Sequence, residues 1–301
     1  MYVIGVDIGG TSLRIGMIDE SGNLSAFEKI GQGTVLTGDS VHELGNFIEQ
    51  YIIRHEREGL ISGLAVAFPA PLDKEKAVVL NAPNIAGFNE KPVKKLLQKR
   101  FSFPVYLLKD VSALYYYDKK RFEIDDEGVV IGCYIGTGIG NAIAVGGRLL
   151  DGENGAAGEL GHIPVWGAAG KCGCGNTGCM ETVAGGRYLS HIQQEKFSET
   201  PIDKLFAEHG DNPILQEYIH ILAMAVATEI NILDPKTVLL GGGVVSMEDF
   251  PAEKLEKTIR KYARKPLPEK NLRFLYADNK GENGVIGAGI YLWEKNKECV
   301  V

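Results

Sequence analysis

His162, Cys172, Cys174 and Cys179 stand in the pattern His-x9-Cys-x-Cys-x4-Cys, one imidazole and three thiols close together in the chain. That donor set suits a tetrahedral Zn2+, and with all four positions filled by protein the ion would be structural rather than catalytic. The run KCGCGNTGC is mostly glycine between its cysteines, so the backbone can fold tightly enough to converge the sulfurs. Reduced surface cysteines, or a Cys174–Cys179 disulfide, are the alternative. An odd total of five cysteines argues against a disulfide framework and for reduced thiols, and the glycine density with the upstream histidine favours the metal. Glu159, in GAAGELGHI, and Glu181, two residues past Cys179, are tethered to the same knot. Fixed carboxylates beside one free imidazole nitrogen suit the neighbouring hydroxyls of a sugar. Solvated loop charges are the plainer reading.

A second chemistry is written in glycine. In Asp7-Ile-Gly9-Gly10-Thr11 two positions without side chains would let backbone N–H groups approach an anion, and Thr11 adds a hydroxyl. Asp7 would repel a phosphate unless a cation lay between them, which implies Mg2+. Gly136-Thr137-Gly138-Ile-Gly140 and Gly241-Gly242-Gly243 supply two more such turns, enough to cradle a phosphate chain. The plain alternative is tight hairpins whose glycines serve only the turn. Neither the P-loop nor the dinucleotide fingerprint is present. Asp110 stands where a buried strand gives way to a helix, a place for a general base or for an N-cap. Asp73 and Asp278 are weaker candidates for the base.

The elements that must position these residues alternate. Residues 3–8 and 13–17 form a strand–turn–strand, and 129–149 repeats it, so the chain is expected to hold two similar lobes. Between the copies lie a helix at 40–58, a buried strand at 63–71, a helix at 93–101 and a strand at 104–108 that ends on Lys109-Asp110. A helix follows at 111–122. The second half adds a long helix at 213–234, a strand at 236–245 and a helix at 252–264, then a glycine-punctuated apolar segment at helical spacing. This is an α/β layer pattern. The expected division is an N-terminal lobe over 1–110, with a final helix near 284–301 packing back on it. A C-terminal lobe over 111–283 would hold nucleotide, metal knot and dimer contacts.

Composition removes other classes. The net charge of −7 leaves no basic footprint for nucleic acid or an anionic membrane. The start, MYVIGVDIGGT, lacks the features of a signal peptide, and the apolar run 221–233 contains Glu229 and is too short to span a bilayer. A cytoplasmic protein is expected.

Taken together the motifs resemble the ROK family of sugar kinases and related repressors. They are DIGGTSLR (7–14), FPAPLD (68–73), APNI (82–85), YIGTGIG (134–140), GELGHI (158–163), CGCGNTGCME (172–181) and LGGGVV (240–245). The resemblance implies the two-lobed actin/hexokinase-like (ribonuclease H-like) ATPase fold with a structural zinc knot. It implies Asp110 as catalytic base, and Glu159, His162 and Glu181 as sugar ligands with Asn84 and Lys109 beside them. Asp7, Gly9, Gly10, Thr11, Arg14, Thr137, Gly138 and Gly241–Gly243 would hold MgATP, and a homodimer is implied. Family repressors carry a DNA-binding segment before the first hairpin, which here begins at residue 3, so an enzyme is expected. Members acting on glucose or N-acetylmannosamine usually have Asn-Asp at the base. This chain has Lys109-Asp110, similar to the D-allose kinase branch, and an ammonium cannot accept hydrogen bonds.

Overall fold

The computed structural model describes residues 1–82 and 85–298. The chain forms two compact units. Unit 1 comprises Met1–Ile124, Asp151–Ala157 and the chain from Lys280 onward; unit 2 comprises Asp125–Leu150 and Gly158–Asn279.

In unit 1, β1 (Tyr2–Ile8), β2 (Ser12–Ile18) and β3 (Leu24–Gly31) form an antiparallel meander. The short helix α1 (Gln32–Val35) and α2 (Ser40–Arg54) lead to β4 (Ile61–Phe68). Then follow α3 (Val93–Gln98), β5 (Val105–Lys109) and α4 (Asp110–Arg121). The sheet order is β3-β2-β1-β4-β5, with β1 parallel to β4 and β4 parallel to β5. Burial accounts for the composition. Central β4 is apolar almost throughout because both of its faces are covered, whereas edge strand β3 alternates half-buried and exposed residues. Leu44, Ile48 and Tyr51 of α2 recur at helical spacing and join the core beneath the sheet.

Unit 2 repeats the plan. Its strands are β6 (Val129–Ile135), β7 (Ile139–Val145), β8 (Arg148–Leu149), β9 (Thr237–Gly241) and β10 (Arg273–Tyr276). Their order is β10-β9-β6-β7-β8, again a central strand with an antiparallel hairpin on one side and parallel strands on the other. The duplication expected from the two glycine hairpins therefore extends to all five strands. Helices α5 (Glu181–Ala184), α6 (Gly186–Lys196), α7 (Leu205–His209), α8 (Pro213–Leu233) and α9 (Ala252–Tyr262) complete the unit. Asn212 caps α8 by accepting the Ile214 N–H at 3.1 Å, with Pro213 in the first turn. Such a cap is worth about 1 kcal/mol.

The chain then returns to unit 1 as α10 (Asn283–Glu298), which lies against α4, β1, β2 and β4. Its glycines are contact points: a Cβ at Gly287 would collide with the Ala113 carbonyl of α4. Unit 1 also keeps α4, so its first boundary falls at Ile124/Asp125, within the acidic run FEIDDEG that follows that helix.

One acid is buried in the core of unit 2. Glu229 of α8 accepts hydrogen bonds from Asn141 Nδ2 at 3.1 Å and from the Cys133 thiol at 3.5 Å. Burial pushes its carboxyl up to about 7 from an ordinary 4.5. A carboxyl raised by folding contributes stability that is complete below its unfolded value and lost as pH rises through the folded one. Glu229→Gln, which keeps the acceptor and removes the charge, is expected to gain stability over the parent between pH 5 and pH 8, by up to roughly 3 kcal/mol. Urea denaturation of both proteins at the two pH values checks this; a difference independent of pH refutes it.

Candidate active site

In unit 1 the end of β1 and the start of β2 meet in the first glycine turn, closed by the Gly9 N–H donating to the Ser12 carbonyl at 2.8 Å. Cross-strand register sets Asp7 opposite Arg14, and Arg14 Nη1 donates to Asp7 Oδ2 at 2.7 Å. Burial raises the Asp7 carboxyl from its ordinary value and the guanidinium opposes that rise. The start of α10 closes over the same carboxylate, where a Cβ at Gly284 would come within 2.9 Å of Asp7 Cγ. Arg14 Nε is buried and has no hydrogen-bond partner among the described residues. A desolvated carboxylate and an orphaned guanidinium N–H fit a hydrated cation and a phosphate oxygen respectively. Gly10 and Thr11 are exposed at the tip of the turn.

Asp110 is the first residue of α4, directly after β5. The N-cap position is Lys109, whose side chain makes no cap bond, while Asp110 Oδ1 accepts the Val111 N–H at 2.7 Å. Asp110 thus satisfies one of the helix's terminal amides, and the helix N-terminus is a setting suited to an anionic carboxylate. Lys109 Nζ donates to the Ala157 carbonyl at 3.0 Å. Asp73 accepts the Ala77 and Val78 amides of its own loop at 2.6 and 2.8 Å, which gives it a turn-forming role. Asn84 lies outside the described residues.

The remaining site residues of unit 2 converge. The second glycine turn joins β6 to β7, and the start of α6 is bonded to it. Gly186 N–H donates to the Gly136 carbonyl at 2.9 Å and Arg187 N–H to the Thr137 carbonyl at 2.8 Å. The glycine pair at 185–186 is not among the motifs singled out from the sequence, yet the clamp needs it: a Cβ at Gly186 would collide with the Gly136 carbonyl. The third turn, after β9, packs on the end of β6: Val244 N–H donates to the Ile135 carbonyl at 2.9 Å. Gly242 has φ +93°, and a Cβ there would stand 2.5 Å from the same carbonyl, so only glycine fits. Glu181, at the start of α5, links the second turn to the cysteines. Its carboxylate lies over Gly138, where a Cβ would collide with Oε2, and Oε1 accepts from the Cys172 thiol at 2.9 Å.

The donor atoms of His162, Cys172, Cys174 and Cys179 all lie within 4.8 Å of one another. Cys172 Sγ is 3.4 Å from His162 Nδ1, and Cys174 Sγ is 3.7 Å from Cys179 Sγ. Spacing and donor chemistry fit a single divalent ion, with Nδ1 as the imidazole ligand. Nε2 faces the other way, 3.7 Å from Glu159 Oε2. The imidazole therefore stands between the thiols and an exposed carboxylate. Burial pushes the Cys172 thiol well up, and a bound cation would reverse that by stabilising the thiolate.

The profile of the ROK family matches residues 3–296. The chain belongs to the ROK family. A glucokinase of Halalkalibacterium halodurans is 25% identical over 314 residues, covering 96% of this chain and 94% of that protein. An N-acetylmannosamine kinase of Shigella boydii is 24% identical, with 96% and 98% covered. The crystal structure of a ROK family glucokinase from Streptomyces griseus in complex with glucose and AMPPNP superposes with a TM-score of 0.76 at 26% identity, covering 96% of this chain and 98% of that one. Two five-stranded mixed sheets of one strand order, flanked by helices, are the ROK version of the actin-like fold. No helix among the described residues is long and apolar enough to cross a membrane.

The cluster geometry predicts about one zinc per chain by elemental analysis and its loss in Cys174→Ser. The region around 155–185 is expected to become protease-sensitive in that variant, since a structural ion contributes directly to folding. Parent protein purified without chelators and found free of zinc contradicts the assignment.

Proposed function

We propose that this ROK protein is an ATP-dependent hexose kinase that transfers the γ-phosphoryl group to the sugar 6-hydroxyl, with D-allose as its substrate. The observation that carries the reading is the trio Glu159, His162 and Glu181 on the cysteine knot. A set of rigid acceptors with an imidazole among them suits adjacent sugar hydroxyls, and has no purpose in a protein that only hydrolyses ATP.

Asp110 accepts the proton of the attacking hydroxyl, anchored at the head of α4 so that its carboxylate does not wander. The glycine turns at 9–11, 136–138 and 241–243 offer backbone N–H groups to the phosphate chain, and Arg14 adds a guanidinium. Asp7 is the carboxylate that would face Mg2+, which would supply positive charge to offset that of the phosphate chain. His162, Cys172, Cys174 and Cys179 would hold Zn2+, a structural ion that fixes the sugar-side residues. Kinase relatives named for glucose and for N-acetylmannosamine support the hexose class and make a glucokinase or N-acetylmannosamine kinase the alternative. Lys109 in the place of the usual asparagine is what favours allose. A sugar sensor without turnover would have no need of Asp110. We also propose a homodimer and a cytoplasmic location.

ADP release with MgATP is to be compared across allose, glucose, mannose, N-acetylmannosamine and fructose. The highest kcat/KM is expected for allose, and preference for another hexose keeps the kinase and discards the allose assignment. Asp110→Asn is expected to lower kcat by about 10²-fold or more with little change in sugar affinity, as for loss of a general base. Near-normal turnover in that variant removes Asp110 from the role.

A further inference from the structure

The helix α8 turns one apolar face into unit 2 and carries a second one outward. Leu215, Tyr218, Ile219, Leu222, Val226 and Ile230 are buried in the core of the unit. Glu217, Ile221, Met224, Thr228 and Asn231 follow one another at steps of four, three, four and three residues, which sets them in one line along the outer side. Ile221 is half-buried and the other members of the line are exposed. Met224 is 46% exposed, and Ile232, which borders the line, 74%. Thr228 donates its hydroxyl to the Met224 carbonyl at 2.8 Å, which leaves its methyl group for packing. Tyr262 closes one flank: its hydroxyl meets His220 Nε2 at 3.0 Å, and its carbonyl accepts from Asn231 Nδ2 at 3.1 Å. A helix that is apolar on both sides is normally covered on both. Alternating steps of three and four with apolar residues at the middle form the seam by which one helix packs on another.

The ends of the line say what covers it. Glu217 stands at one end. At the other, Arg264 is held beside Asn231, its backbone N–H donating to Asn231 Oδ1 at 2.7 Å. Both residues are exposed, and neither side chain forms an ion pair among the described residues. Within one chain they are far apart, since positions 217 and 231 are separated by about 21 Å of helix. Met224 lies midway between those positions. Laying a second copy of α8 antiparallel on the first, with the two-fold axis at Met224, puts position 217 of each opposite position 231 of the other. Each Glu217 then comes to the Arg264 of the other copy, with Ile221, Met224 and the Thr228 methyl between. A parallel pairing would instead set Glu217 against Glu217. The face is complementary to itself, as an isologous interface requires. We propose that the outer face of α8 is the homodimer interface, formed by antiparallel pairing of this helix with its copy. The inference rests on the homodimer proposed above and gives it a surface. Every residue it uses lies in unit 2.

Sedimentation equilibrium of the full chain at micromolar concentration tests it. The parent is expected to be a dimer. Met224→Glu, which brings two carboxylates to the axis, is expected to be a monomer with unaltered circular dichroism. Glu217→Arg and Arg264→Glu should each raise the dimer Kd by about tenfold or more, because each sets two like-charged pairs together. Mixed in equal amounts, these two variants should form a heterodimer of parental affinity, since both contacts between them are again of opposite sign. Parental dimerisation by all three single variants overturns the interface and leaves the homodimer standing. Weakened dimers that mixing does not restore overturn the antiparallel pairing. A monomeric parent overturns homodimer and interface together. None of these measurements needs turnover, so the kinase reading stands or falls separately.

Discussion

Carrying charge out of water is the constraint around which this protein is arranged. Asp7 shows it most directly: a carboxylate at the end of a central strand, covered by the first turn of α10 and compensated by Arg14 on the neighbouring strand. The β1–β2 register sets these two residues opposite each other, so the hairpin cannot slip without leaving a half-buried charge unpaired. Glu181 meets the same problem with a thiol at one oxygen and Gly138 beneath the other. In both places the absence of a neighbouring side chain makes room for the carboxylate.

That arrangement explains why glycine marks the site and why its meaning was only partly legible in the sequence. The three turns at 9–10, 136–138 and 241–243 were visible as glycine at strand ends, and the structure puts each at the end of a strand as expected. The helices expected at 40–58, 111–122, 213–234 and 252–264 are found at Ser40–Arg54, Asp110–Arg121, Pro213–Leu233 and Ala252–Tyr262, and the apolar face of the first repeats at three and four residues. The local four-donor pattern was equally readable, because its residues are close in sequence as well as in space.

What sequence could not supply were contacts between distant segments. Nothing local links Lys109 to Ala157, or Gly186 to Gly136, and both pairings decide how candidate residues are held. Residues 151–157 carry no periodicity, and their membership of unit 1 depends on charge pairs and a close approach to the loop at 72–76. Edge strands such as β3 and β10 were also unannounced, because partial exposure removes the apolar run that identifies a central strand. The glycines of α10 punctuate a segment expected to be helical, and they are points of contact. Tertiary packing there outweighs a local preference of about 1 kcal/mol per residue.

The placement of α10 bears on how the chain matures as it is made. Strands β1 to β5 are synthesised first, yet α10, which packs on β1, β4 and α4, comes from residues 283–298. All of unit 2 has been translated by then. The earliest part of the polypeptide must wait, with apolar surface uncovered, while a later part can complete its own core. A nascent chain stalled before residue 283 would display that surface to chaperones and proteases, so α10 is where the first-made unit becomes protected.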